Sequence, residues 1–552
     1  MFARVKKSGR YEYLQIVHNV RVDGHVRQQV LTTLGRLDVL KRSGQLDALL
    51  ASCARFSEHA ALLNATSQDV QTGHAVRLGP PLVFGRLWQE LGVPQVIESL
   101  LRGRKFEFSV ERAVFLTVLH RLMVSGSDRA AERWCRRYAL DGIEEIELQH
   151  LYRAMGWLGE PLPTAEPTTA EPPAEPRLGP RCRKDRIEEL LFARRRDLFS
   201  GLQVAFFDTT SLYFEGAGGE TLGQHGYSKD HRPDLKQMIV GVVLDERGWP
   251  LCCFLLPGNT ADITMLVPVV DQLRTRFGIE RVCVVADRGL ISAETIRQLE
   301  ERHWQYILGA RLRSVKEIRE QVLSRAGRYH VVQGPRENSR DPSPLKVKEV
   351  WVDERRYIVC HNEEQATKDR HDREAVLKKL ADQLQQGPKS LVGNKGFRKY
   401  LRAEGEFAID PEKVASESRF DGKWVLRTNT ERTASDVALR YKDLLHVESM
   451  FRSLKSLLET RPIFHRCDDT IRGHVFCSFL ALLLMKELQS RLESRGWGDV
   501  EWRPLLDELE DLQELTVTAN GKSYVVRTAP RGDAGKAIQT AGVALGPAIR
   551  PA

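Results

Sequence analysis

Apolar and polar positions alternate with a period of two near the start of the chain. The runs at 11–17 and 26–31 flank Asp23-Gly24, which predicts a β-hairpin, and a short helix is expected over 45–54. The period changes to the helical one over 109–124, where Ser109 suits an N-cap. A short basic helix follows at 129–138, with Trp134 and Cys135 on its apolar side. The two helices, separated by Ser125-Gly126-Ser127-Asp128, look like a helix-turn-helix pair, a pattern shared by any small helical bundle. Periodicity then disappears. The near-repeat Thr164-Ala165-Glu166-Pro167, Thr169-Ala170-Glu171-Pro172, Ala174-Glu175-Pro176 cannot build a core and predicts an extended linker.

Beyond a basic helix at 184–198 the pattern becomes strand-rich. Apolar runs at 202–207, 236–244 and 249–256 read as strands, the last two joined by the turn Asp245-Glu246-Arg247-Gly248. A helix over 263–277, a strand over 281–286, a helix over 293–302 and a strand over 304–312 complete an RNase H-like order. Residues 313–430 interrupt it with strands near 329–333, 346–352, 356–360 and 424–427 and a charged helix over 370–386. An amphipathic helix around 441–455 and an apolar helix over 474–492 follow, then a tail with one strand-like segment at 523–527. The predicted fold is therefore α/β, an RNase H-like core interrupted by a β-rich insertion. The expected divisions are a β-rich region at 1–75, a helical region at 76–160 and a linker at 161–183. The core occupies 184–312 and 431–495 around the insertion at 313–430, and a tail covers 496–552.

Tyr441, Glu448 and Lys455 are spaced by seven residues, about two helical turns, so one long helix would align them on one face. Val437, Leu444, Leu445, Phe451, Leu454 and Leu458 flank this stripe, which predicts that it faces inward. An inward carboxylate needs a compensating partner. Asp208 and Asp287 each end a hydrophobic strand-like run, and with Glu448 they suggest a three-carboxylate metal site for phosphodiester chemistry. Taken singly, each has a plain structural alternative: Asp208 and Asp287 as turn residues, Glu448 as the partner of Arg452 one turn on.

Composition narrows the class. Hydrophobic residues make up 42% of 552, enough for a sizeable core. A formal net charge of +9 suits a polyanionic partner. The nine cysteines lack paired metal-type spacing and read as buried reduced thiols, which predicts a cytoplasmic setting. The longest apolar run, 475–485, is too short to span a bilayer.

Several stretches resemble a bacterial insertion-sequence DDE transposase of the cut-and-paste group with a β-rich insertion before the catalytic Glu. They are Phe206-Phe207-Asp208-Thr209-Thr210-Ser211-Leu212-Tyr213-Phe214-Glu215-Gly216, Tyr227-Ser228-Lys229-Asp230-His231-Arg232-Pro233-Asp234, Val285-Ala286-Asp287-Arg288-Gly289-Leu290, the helix 441–455, and Arg472-Gly473-His474. The resemblance implies Asp208, Asp287 and Glu448 as catalytic ligands of two Mg2+ ions, with Mn2+ able to substitute. It also implies that Tyr441 and Lys455 contact transposon-end phosphates. The family's Tyr-Arg-Glu-Lys pattern is broken here, because Leu444 stands at the Arg position; Arg440 and Arg452 are candidate substitutes. Trp424 matches an aromatic that holds a flipped base in hairpin-forming relatives, against the plainer reading of a core residue on a strand. The implied function is a DNA transposase that binds terminal inverted repeats of double-stranded DNA, with 76–160 as the DNA-binding domain. It nicks the ends by hydrolysis and joins the 3′-hydroxyl to target DNA, as a homodimer on paired ends. The alternatives are an RNase H-like nuclease without strand transfer, and a catalytically silent DNA-binding repressor of its own element.

Overall fold

Near-continuous apolar runs make the central strands, because a sheet covered on both faces buries every position. In the computed structural model, β1 (Val204–Tyr213), β2 (Gln237–Asp245), β3 (Pro250–Pro257), β4 (Cys283–Ala286) and β5 (Gln305–Gly309) have almost no exposed side chain. The structure describes residues 1–22, 25–54, 70–163, 178–196, 202–338, 341–385, 397, 399–402, 408–519 and 522–552. The expected Asp23-Gly24 turn and most of the proline-rich linker (164–177) lie outside these residues.

Strands β6 (His330–Gln333), β7 (Leu345–Val352), β8 (Arg355–His361) and β9 (Lys423–Thr428) come from the insertion. They do not form a separate sheet. The nine strands run in the order β6-β7-β8-β9-β5-β4-β1-β2-β3. Strands β1, β4 and β5 are parallel, β2 and β3 are antiparallel neighbours, and β9 joins antiparallel to β5. The order β3-β2-β1-β4-β5 is the RNase H-like one expected, and the insertion prolongs it edge to edge. Pairing with β9 satisfies the backbone of β5, which would otherwise be an open edge.

The helical region packs with this sheet in one compact unit, Phe84–Cys135 with Leu140–Gly498. Helix α1 (Val110–Met123) is capped by Ser109, whose hydroxyl accepts from the Arg112 N–H (3.3 Å). All of its residues except Arg112 are buried. The first member of the helix-turn-helix-like pair is therefore a core helix. Helix α2 (Asp128–Trp134) leaves Arg129 and Arg133 exposed. Helix α3 (Leu148–Gly159) crosses the long apolar helix Asp468–Ser494 closely. A Cβ at Gly473 would overlap the Met155 carbonyl, and one at Gly159 the Asp469 carbonyl, so both crossing points need glycine.

Helix α4 (Arg183–Arg196) opens with a buried charge network rather than a solvated basic face. Its Lys184 donates to Asp185 (2.7 Å) and to the Cys253 carbonyl (2.8 Å). Arg276, on α5 (Leu266–Phe277), pairs with Glu188 (2.6 Å), Glu189 (3.0 Å) and Asp185 (3.4 Å). The attraction of these carboxylates outweighs burial and raises the pKa values of Lys184 and Arg276, so both stay charged.

The second unit combines Met1–Val83, Arg136–Ala139 and Asp499–Ala552. It holds an antiparallel three-stranded sheet, Phe2–Ser8, Tyr11–Val22 and His25–Arg36. The segment read as a tail is more ordered than its sequence suggests. Gln513–Ala519, Lys522–Arg527 and Ile549–Pro551 form a four-stranded sheet with Val70–Arg77, and the helices Trp502–Glu510 and Gly532–Thr540 accompany it.

Candidate active site

Parallel pairing of β1 with β4 sets Phe207 opposite Ala286. The next residues are Asp208 and Asp287, so their backbones lie one strand spacing apart, about 5 Å. Asp208 Oδ1 accepts from the Thr209 N–H (2.7 Å). Burial pushes the Asp208 carboxyl up to about 6; Lys229 opposes this shift, and Asp287 and Asp262 add to it. Lys229 Nζ donates to the Thr209 carbonyl (2.8 Å) and hydroxyl (2.6 Å) and pairs with Asp262 (3.0 Å). The Thr209 hydroxyl in turn donates to Asp262 (2.9 Å). Three carboxylates and one lysine thus converge beside the middle of β1.

Tyr441 reaches this group directly. Its hydroxyl donates to Asp287 Oδ1 (2.8 Å), and burial with the Asp287 charge raises its pKa, so it remains a donor. Gly309, at the end of β5, leaves room for it: a Cβ there would overlap the Tyr441 hydroxyl. Gly309→Ala is expected to dislodge that hydroxyl and lower activity roughly 10- to 100-fold, on the scale of a 1 Å misplacement, while the fold persists. Steady-state activity and a thermal melt on the same preparation check this.

The expected single helix carrying Tyr441, Glu448 and Lys455 is instead three pieces. These are α6 (Ala434–Lys442), α7 (Leu445–Arg452) and a π-helical turn at Ser453–Leu457, with a break at Asp443-Leu444. The break removes the seven-residue alignment. Helix α7 packs on β1 and β2 through Val447, Met450 and Phe451, and Glu448 is exposed rather than inward. No choice of one oxygen from each of Asp208, Asp287 and Glu448 brings the three within 4.8 Å of one another. One ion would need such closeness; two ions about 3.5–4 Å apart span a wider set of ligands.

The remaining sequence candidates fall in different settings. Lys455 donates to Asp230 (2.7 Å). Arg452 is exposed. Leu444 is buried, and Arg440 lies near Asp436 (3.6 Å) and Asp443 (3.8 Å). Trp424 is half-buried on β9 opposite Cys360 of β8, with its indole N–H unpartnered. The sequence pattern marks none of Asp262, Lys229 and Asp230 as a site residue, and Arg461 only as the start of a basic cluster. Lys229 and Asp230 stand inside the stretch 227–234, but Asp262 opens a short 3-10 turn after β3 with no local signal, and only tertiary contact brings it to Thr209 beside Asp208.

A second polar group joins Asp128, His465 and His474, with one ligand atom from each within 4.8 Å of the others. Protein already occupies its centre. Buried Arg121 donates to His474 Nδ1 (2.9 Å), to the Ser478 hydroxyl (2.7 Å) and to the His474 carbonyl. His474 Nε2 faces the Thr460 carbonyl (3.1 Å), so it carries the proton and Nδ1 is the acceptor. A guanidinium on that nitrogen competes with any metal, and the group reads as a structural network.

Burial lowers the pKa of His465 and His474, and takes that of His120 down to about 4. In the unfolded chain each imidazole titrates near 6.5. Between about pH 4 and 6.5 the unfolded state therefore binds more protons, so stability is full above 6.5 and falls as the pH drops. The melting temperature is expected to be lower at about pH 5.5 than at about pH 7.5; no change would count against three buried neutral imidazoles.

No helix among the described residues is long and apolar enough to cross a membrane. The family model described as the transposase DDE domain matches residues 199–484, more than half of the chain. The model for the IS1634 family transposase N-terminal domain matches residues 3–66. No curated protein sequence matches. Among solved structures, the piggyBac transposase synaptic complex with hairpin DNA is similar at 10% identity and a TM-score of 0.38, over 78% of this chain and 79% of that one. The Mos1 transposase paired-end complex with the left transposon end is similar at 13% identity and a TM-score of 0.15, over 37% and 60%. The Mos1 mariner paired-end complex with Mn gives 13% and 0.14, over 38% and 65%.

Proposed function

The chain belongs to the DDE transposase family, and from that premise we propose that it binds the inverted repeats at transposon ends, nicks them by metal-activated hydrolysis and joins the freed 3′-hydroxyl to target DNA by transesterification. The observation that carries this reading is the adjacency of Asp208 on β1 and Asp287 just past its parallel partner β4, with the Glu448 helix packed on the same strand as Asp208.

The residues fit divalent cations. Asp208 is buried enough to hold its proton up to about 6, and Asp287 and Asp262 add negative charge that Lys229 only partly offsets. Carboxylates crowded in this way repel unless a cation joins them. Oxygen donors of this kind suit Mg2+ or Mn2+. Asp208, Asp287 and Glu448 are the residues proposed to hold the pair. When bound, two such ions supply an activated water and neutralise the leaving oxygen.

The chain's own groups have distinct tasks. The Tyr441 hydroxyl orients the Asp287 carboxylate. Lys229 braces the Asp208 strand through Thr209 and holds Asp262 beside it. Lys455, released from Asp230, contacts a backbone phosphate of double-stranded DNA; exposed Arg452 and half-buried Trp424 are further candidate contacts on the DNA path. Two copies on paired ends are the proposed assembly.

The test uses the full-length protein, a labelled duplex carrying the element's terminal repeat, and Mg2+ or Mn2+. Metal-dependent nicks at the repeat boundary, and joining of a precut 3′ end to plasmid DNA, are expected. Nicking without joining would reduce the protein to a nuclease, and binding without nicking in either metal would make it a silent repressor.

A further inference from the structure

Asp230 occupies an unusual position. Its side chain is 6% exposed, and one oxygen, Oδ1, takes both Lys455 (2.7 Å) and Arg461 (2.5 Å). The other oxygen, Oδ2, is buried and has no hydrogen-bond partner. Two cations thus share one oxygen of one carboxylate, while half of that carboxylate is desolvated and unused. Leaving a buried acceptor unpaired is costly. The arrangement is locally unsaturated on both sides: one positive charge in excess, one acceptor idle.

A phosphodiester relieves the crowding on one oxygen. It carries the same single negative charge as Asp230, but each cation can take its own non-bridging oxygen, in the charge-assisted geometry that Arg and Lys favour. The location suits DNA. Asp230 directly follows Lys229, whose ammonium touches Thr209 and Asp262 beside Asp208. Arg461 also lies over the ring of Tyr213, at the end of the strand that carries Asp208 (5.4 Å). Leu444 is buried and Arg440 is already near two carboxylates, so neither offers a second cation beside Lys455. Arg461 does, from the loop beyond the helix.

We propose that Lys455 and Arg461 form a two-cation cradle for a single DNA backbone phosphate, and that Asp230 holds the cradle closed until that phosphate replaces it. The inference rests on the transposase reading above and adds to it the residue that supplies the second cation and the group that masks the pair.

The experiment measures binding of the full-length protein to a fluorescent duplex carrying the terminal repeat, as a function of salt. Losing one phosphate contact lowers the slope of log affinity against log salt by about 0.9. Arg461→Gln is expected to lose about one unit of slope, and Arg461→Lys to keep it. Arg461→Gln leaves the Lys455–Asp230 pair in place, so it does not depend on the fate of the mask. Asp230→Asn is expected to tighten binding roughly fivefold or more. Asp234→Asn, which removes an exposed carboxylate from the same loop, controls for net charge and is expected to move affinity less.

A thermal melt accompanies each variant. An unchanged slope in Arg461→Gln, in protein that still nicks ends in Mg2+, overturns the cradle and leaves the transposase reading standing. Equal effects of Asp230→Asn and Asp234→Asn, with melting unchanged, overturn the mask. Wild-type protein that fails to bind the duplex overturns both readings.

Discussion

Asp208→Asn is expected to lower DNA end cleavage by about a thousandfold or more, equivalent to about 4 kcal/mol of transition-state stabilisation, with end binding nearly unchanged. Asparagine keeps the shape and can still accept from the Thr209 N–H, but it loses the charge that a divalent cation requires. The same substitution is expected to raise the melting temperature of metal-free protein near neutral pH. Burial raises the folded pKa of Asp208 to about 6, above its usual carboxylate range, so the folded state holds the proton more tightly than the unfolded one. Stability from this group is therefore full at low pH and declines as the pH rises through about 6. Asparagine removes that decline. The melting gain should be present at about pH 7.5 and absent at about pH 4. Loss of cleavage together with a higher melting temperature separates a lost ligand from a lost fold. Retained cleavage would remove Asp208 from the site.

Arg276→Ala is expected to destabilise the folded chain by about 3–5 kcal/mol, the usual cost of removing one partner from a buried ion network. Arg276 bonds Glu188 and Glu189 and lies close to Asp185; without it only Lys184 faces Asp185 and Glu188, while Glu189 keeps the more exposed Arg181 and Arg186. The loss should appear as a large fall in the melting temperature. Arg276→Met with Glu188→Gln, which removes opposite charges together, should recover part of it. A fall of less than about 1 kcal/mol would mean that water reaches the network and screens it.

Several features were legible before folding was considered. The apolar runs that became β1 to β5 were readable because a doubly covered sheet leaves no alternation to confuse them. Asp208 and Asp287 stood out at the ends of such runs, and Ser109 was readable as a cap because capping is local chemistry. The seven-residue stripe misled. Spacing predicts a common face only along an unbroken helix, and Asp443-Leu444 interrupts this one. Glu448 consequently lies on the exposed side of α7. The basic helix was readable too, but not the burial of its first turn, which meets acidic partners on its own length and an arginine on α5.

By itself, the sequence determined the strand and helix content of the core, the positions of the two aspartates and the excess of basic charge, because these depend on local period and composition. Tertiary structure decided the rest. The insertion strands extend the central sheet, the segment beyond residue 499 pairs with Val70–Arg77, and Asp262 and Asp230 meet Lys229, Lys455 and Arg461. Each of these unites residues far apart in the chain. Strand pairing and ion pairing between distant segments follow from closure of the whole fold, and no local pattern encodes which partner will be met.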